Sequence, residues 1–386
     1  MGIILELAKV MSHSRTEDRI PIVVERATGP MKPKEVLFRI AQRVGAFALV
    51  RDSEWRRQRL LILCYHGVSL HDEHEWNEEL YVTPALLRNR LQLLRDRGYS
   101  ILPLDDACRL LREGRLPPRS VSLTFDDATV DFERAALPIL REFRAPVTLY
   151  LTSFYTDVRV PVFDTALSYV LWKGRDSGAD VASFCDSETP LPVDSRDARD
   201  RAHLTLRCHA AKLSLDALAK DALVERVAEH LGVDYERVRA SEILQLMTPA
   251  SVAALPHDLV NVQMHTHRHR APCERLLFRR ELVDNAGRIR EMRGLCSELT
   301  HFCYPNGEYR GELLPWLREF GVEFATTCLP GIASTHDNPL LLPRFVDNCL
   351  QSPTAFEAWA SGFAALLPQR RQYRIDTSLL RTSVGG

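Results

Sequence analysis

The chain has 386 residues, 45% of them hydrophobic and 26% charged, with a formal net charge of −1. That length exceeds one average domain but suits a single α/β barrel with insertions, and the near-neutral charge gives no electrostatic footprint for nucleic acid. Nine cysteines, an odd number with no Cys-x-x-Cys pair, do not form a disulfide framework and fit a reducing compartment.

The opening run MGIILELAKV carries Glu6 and Lys9 and lacks a small-residue cleavage site, so no signal peptide is expected. Residue 6 is not the Ser or Thr of a myristoylation signal, and no stretch approaches the ~20 apolar residues of a spanning helix. A cytoplasmic protein is expected, with membrane association left open. Residues 1–30 show no clear period and are expected to be loosely ordered. From Lys34 to Val50, Val36, Leu37, Ile40, Val44 and Phe47 recur at helical spacing with Arg39 and Arg43 on the other side. This amphipathic helix is expected to pack its apolar face on the domain; a helix lying on a membrane surface is the alternative.

LLILCYHGVS reads as a buried strand ending at Tyr65 and His66. A helix follows, with Thr83 as cap, Pro84 as first residue and Gly98 as stop. Then come a strand at 100–102, a helix at 105–113, a strand at 121–125, a helix at 131–143 and a strand at 147–151. The alternation resumes after residue 258 with the strand LVNVQMH, a helix at 274–293, the strand HFCYP, a helix at 311–320, and the strands VEFATT and LLLPRFV. Seven or eight strands alternating with helices predict a parallel sheet closed into a distorted (β/α) barrel. Between 155 and 257 the rhythm breaks: DSETPLPVDSRDARD reads as a polar loop and 213–247 as helical. The expected organisation is an extension at 1–58, a barrel at 59–365 with a long, mostly helical insertion at 155–257, and a tail at 366–386.

In such barrels the chemistry sits at the C-terminal ends of strands. The polar residues there are His66, Asp126, Asp127, His265, His269, Tyr304 and Arg344. Two histidines and a carboxylate are a common catalytic zinc set that leaves a position for water. Two adjacent aspartates are also a common helix start, and the pair Asp105–Asp106, with no such partners expected nearby, is read that way.

TFDD at 124–127 and HTHRH at 265–269 resemble the first two motifs of the polysaccharide deacetylases, the NodB-homology group of carbohydrate esterase family 4. FCYPNGEY at 302–309 is similar to the third motif of the exopolysaccharide-modifying branch, and CYHGVS to the start of that branch. The resemblance spans roughly 60–350 outside the insertion. It implies a NodB-type barrel that removes N-acetyl groups from amino sugars of a polysaccharide or its precursor. By position, Asp127, His265 and His269 would hold a divalent metal, zinc first, with nickel, cobalt or iron also suited. Asp126 would be the general base, and the oxyanion would sit near the backbone at Tyr304. Thr266 would orient its loop, or serve an ordinary turn.

The family's Leu-x-His histidine is missing: no histidine follows His336, and LPRFVDN occupies the region. The acid role passes to His66, for which a core histidine is the alternative. Arg344 with Asp347 would form a charge pair, at the site or purely structural. The expected partner is an N-acetylated carbohydrate, with no nucleic acid and no transmembrane segment. A non-catalytic carbohydrate-binding barrel and a hydrolase of a small non-sugar amide remain alternatives. The absence of Gly-x-x-x-x-Gly-Lys and Gly-x-Ser-x-Gly argues against phosphate-loop and serine-hydrolase chemistry.

Overall fold

The computed structural model describes residues 33–185, 187–294 and 299–368. The expectations for residues 1–30 and for most of the C-terminal tail lie outside them.

Among the described residues, ten strands form in chain order: β1 Leu61–Tyr65, β2 Gly67–Val68, β3 Tyr81–Val82, β4 Ser100–Ile101, β5 Ser120–Phe125, β6 Val147–Leu151, β7 Val260–Met264, β8 His301–Cys303, β9 Phe324–Thr326 and β10 Phe345–Val346. Eight of them make one parallel sheet in the order β10-β1-β5-β6-β7-β8-β9, with β4 added at the start of β5; β2 and β3 pair separately. The sheet's ends meet at a parallel bridge from Thr326 to Leu342, just ahead of β10, which closes the distorted barrel. Register places the chemistry: Tyr65 lies opposite Phe125, so His66 and Asp126 emerge side by side.

The strands read as continuously apolar, but the side chains alternate across the sheet. Val121, Leu123 and Phe125 join the helices around the barrel in the main core, as do Val260, Val262 and Met264. Between them, Ser122, Thr124 and Gln263 are buried and Asn261 is half-buried, so part of the interior is polar. The helix Leu104–Arg112 packs Leu104, Ala107, Cys108 and Leu111 against Ile62, Tyr150 and Phe324, covering the barrel's N-terminal end. Asp105 and Asp106 lie in its first turn but make no capping bond. Asp105 has partners after all: it accepts from Asn261 Nδ2 at 2.7 Å and pairs with buried His301.

After β6, helices at Phe163–Lys173, Arg196–Lys212, Ala217–His230 and Tyr235–Ser241 form a second core around Leu167, Val170, Leu206, Val224 and Val227. The helix Arg196–Lys212 begins inside the segment read as a polar loop, capped by Ser195. Its buried stripe is Ala198, Ala202, Leu206 and Ala210, and three alanines among Arg, Asp and His leave little hydrophobic contrast to detect.

The first described helix, Pro33–Arg43, ends ahead of Gly45, whose φ of +78° turns the chain into a second helix, Ala46–Arg51. The turn breaks the continuous stripe read from Lys34 to Val50. Phe38, Ala41, Phe47 and Val50 are buried. Gln42 Nε2 donates to Glu357 Oε2 at 2.6 Å, and Ser352 Oγ donates to Glu35 at 2.9 Å, anchoring that face. Val36, Leu37, Ile40 and Val44, expected against the domain, point outward at 40–54% exposure.

Candidate active site

Asp126 still belongs to the ladder: its amide donates to Tyr65 O at 3.0 Å, and its side chain points into the barrel. Asp127 and Ala128 then take φ of +70° and +66°, left-handed backbone that costs energy outside glycine. This turn swings Asp127 up to the barrel mouth. The end of the insertion holds it, with Met247 N donating to Ala128 O and Val130 N to Gln245 O, both at 2.9 Å.

The histidine segment is shaped in the same way. Thr266 and His269 have φ of +64° and +53°. Thr266 Oγ1 accepts from Arg270 N at 3.0 Å, giving Thr266 the loop-orienting contact. Buried Glu281 accepts from Arg268 N at 2.8 Å and from Arg270 Nε at 2.8 Å, and Asn285 Oδ1 accepts from His265 N at 3.1 Å. Glu281 and Asn285 stand one turn apart on the helix Arg275–Arg293. Sequence reasoning missed both, although a carboxylate and an amide on the buried face of a helix are a usable signal.

These turns bring Asp127, His265 and His269 together, with Asp127 Oδ1 3.2 Å from each Nε2. His265 Nδ1 donates to Cys303 O at 2.8 Å, which leaves Nε2 bare in the neutral ring. Asp127 Oδ1 is buried and accepts no well-aligned hydrogen bond. Burial works against charge on Asp127, but His269 and His265 hold it well below the usual carboxylate range. One carboxylate oxygen and two imidazole nitrogens converging with their lone pairs inward fit a divalent cation, and the second contacts to Cys303 and Asn285 orient the ligands as metal sites require. His267 lies out of this group, with Nδ1 2.9 Å from Ser153 Oγ.

Asp126 sits beneath this group, 2% exposed. Arg344 grips it with two bonds of 2.7 Å and also donates to Thr124 Oγ1 at 3.0 Å and Thr327 O at 2.9 Å. Burial alone would raise the Asp126 pKa, but the Arg344 charge and hydrogen bonds hold it at about 2. His66 Nε2 lies 3.7 Å from Asp126 Oδ2. The thiols of Cys64 and Cys303 lie 3.6 and 3.4 Å from the same oxygen, neighbours that the sequence did not reveal.

Two expectations are corrected. Arg344 is fully buried and cannot touch substrate; it positions Asp126. Nor does it pair with Asp347, which binds Arg90 at 3.0 Å and the Tyr65 hydroxyl at 3.1 Å. An odd spacing along extended chain sends residues 344 and 347 to opposite faces. The Tyr304 ring is also buried, its hydroxyl donating to Leu340 O at 2.9 Å, so only backbone in that neighbourhood could face an oxyanion.

Above the site lies a cavity of about 250 Å³, lined by His66 and Asp127 from the barrel, Trp76 and Tyr81 from the segment around β3, and Ser168 and His203 from the insertion. A strand-end carboxylate pair, two converging imidazoles and a third histidine at a barrel mouth make a donor set that would suit a divalent cation.

Residues 113–183 match the family model described as polysaccharide deacetylase. The poly-β-1,6-N-acetyl-D-glucosamine N-deacetylase of Escherichia coli (strain K12) is 29% identical over 100 residues, 26% of this chain and 15% of that protein. The match thus spans a small part of the curated relative. Among solved structures, the deacetylase PplD of Streptococcus pyogenes, in complex with acetate, aligns with a TM-score of 0.48 at 19% identity, covering 80% of this chain and 99% of that one. IcaB from Ammonifex degensii aligns with a TM-score of 0.48 at 16% identity over 78% and 97% of the two chains.

Proposed function

We propose that this protein is a metal-dependent hydrolase that removes N-acetyl groups from the amino sugars of a polysaccharide or its precursor. The observation that carries the reading is the convergence of Asp127, His265 and His269 on one point at the mouth, with Asp126 and His66 beside it.

A divalent ion held by these three residues would supply a water with its pKa lowered toward ~7 and a positive charge facing the acetyl oxygen. The remaining steps belong to the chain's own side chains. Asp126 stays ionised at any working pH because Arg344 clamps it. It accepts the proton as water attacks the acetamide carbon. His66 lines the cavity and donates to the departing amine, so that the C–N bond breaks to acetate and free amino sugar. The cavity walls of Trp76 and Tyr81 offer aromatic edges to a sugar ring while excluding bulk water. The insertion, which contributes Ser168 and His203, selects the substrate rather than the chemistry.

The test is elemental analysis of the purified protein together with acetate release from N-acetylglucosamine oligomers. Stoichiometric metal with acetate release is the expected result. Bound metal and sugar affinity without acetate release would instead identify a binding protein, and release from small amides alone would move the substrate class.

A further inference from the structure

The strongest feature that this chemistry leaves unused is the outward stripe on Pro33–Arg43. Val36, Leu37, Ile40 and Val44 occupy successive turns of one face at 40%, 43%, 54% and 49% exposure, and Leu49 on the next helix adds 50%. Single exposed apolar residues are ordinary, whereas a contiguous set on one helix marks a surface that something covers. The helix cannot roll to bury the stripe, because Phe38 packs edge-on against Phe47 and Phe363 while Glu35 and Gln42 are tied to Ser352 and Glu357.

We propose that this stripe docks on the surface of an anionic phospholipid bilayer. Its rim carries the charge such a surface requires. Lys34, Arg39 and Arg43 are exposed, while Glu35, the helix's only acid, is partly buried and engaged by Ser352 and Arg39. The whole chain has a net charge of only −1, so the excess of cations here is local. A helix lying flat in the interface sinks its apolar side chains to the acyl boundary while long basic side chains reach back to the headgroups. Among the described residues no helix is long and apolar enough to cross a membrane, so the contact is interfacial. A second copy of the chain is the poorer occupant, because a two-fold contact through this face would bring both sets of Lys34, Arg39 and Arg43 together. The stripe contains none of the site residues, so the proposal stands independently of the deacetylase reading.

The full chain is mixed with phosphatidylcholine vesicles, with and without phosphatidylglycerol, and separated by flotation. Wild type should float with the anionic vesicles and less so as salt rises. Replacing Val36, Leu37, Ile40 and Val44 together with serine should abolish flotation. Arg39→Glu with Arg43→Glu should weaken it by at least about tenfold. Both variants should keep the wild-type melting temperature, since the altered side chains face outward. Failure of wild type to float with anionic vesicles overturns the proposal. So does undiminished flotation of the serine variant, or a wild-type dimer that the serine variant turns into a monomer without lipid. If the serine variant melts early, the charge-reversed variant decides alone, and undiminished flotation there overturns the proposal equally.

Discussion

Replacing Arg344 with methionine keeps an unbranched side chain in the slot and removes the guanidinium. The loss comprises two 2.7 Å bonds to Asp126 and those to Thr124 and Thr327, all in a position with 0% exposure. Removing one partner of a buried ion pair costs about 3–5 kcal/mol, because the other charge stays buried without compensation. At roughly 2–4 °C per kcal/mol for large domains, the melting temperature should fall by roughly 6–20 °C. The pH dependence has a defined sign. In wild type, Asp126 is held at about 2, below its unfolded value, so the stability it contributes is present above about pH 4 and is lost as pH falls toward 2. In Arg344→Met, burial is opposed only by the weaker charges of His66 and His265 and raises the carboxyl above its unfolded value. The penalty is then largest near pH 7 and shrinks as acid protonates Asp126. Thermal melts of both proteins from pH 4 to 8 measure this, with Asp126→Leu/Arg344→Met as the control that removes both charges and should recover most of the loss. A single variant that melts like wild type at pH 7, or a double variant no more stable than the single, would refute the reasoning.

The two aspartates should fail differently. Asp127→Asn should lose bound metal and regain part of its acetate release when metal is added, whereas Asp126→Asn should keep its metal and stay inactive; elemental analysis and an acetate assay separate them. His66→Ala should lower turnover by about 10²–10⁴-fold with metal still bound, and a wild-type rate would return His66 to a packing role. Asp131 is buried and its carboxyl is pushed up to about 7 despite accepting from Val68 N at 2.5 Å. Its folded pKa lies above the unfolded one, so stability is full below about pH 4 and is lost as pH rises through 7; Asp131→Asn should flatten that decline in melts between pH 5 and 8.

Most of the barrel was legible because each strand is an apolar run ending at a turn, and each intervening helix announces itself by period. The site was legible where its residues are neighbours in sequence: Asp126 with Asp127, and His265 with His269. What escaped depends on closure. The partner of Arg344 is decided by β10 lying beside β1, whose other neighbour is β5, a relation no local pattern carries. Asp105 looked like a helix start because its contacts, Asn261 and His301, come from strands more than 150 residues away. The N-terminal stripe shows the limit of periodicity in another way. A helical period identifies a face, but burial is settled by the partner, and here Phe38 and Ala41 found one.

The closing strand also sets an order on biosynthesis. Every proposed metal ligand has been made once residue 269 leaves the ribosome, yet Asp126 and Arg344 lie 218 residues apart. Arg344 follows His269 by 344 − 269 = 75 residues, which at ~5–20 residues per second is roughly 4–15 s. During that interval a nascent chain can already offer Asp127, His265 and His269 to metal, while the carboxylate beneath them has no cation to accompany it into the core. A bare carboxylate resists burial, so Asp126 is expected to stay hydrated until the last strand arrives. On the proposed mechanism, arrival of Arg344 would give Asp126 its counter-charge, setting a boundary between metal capture and competence in newly made protein.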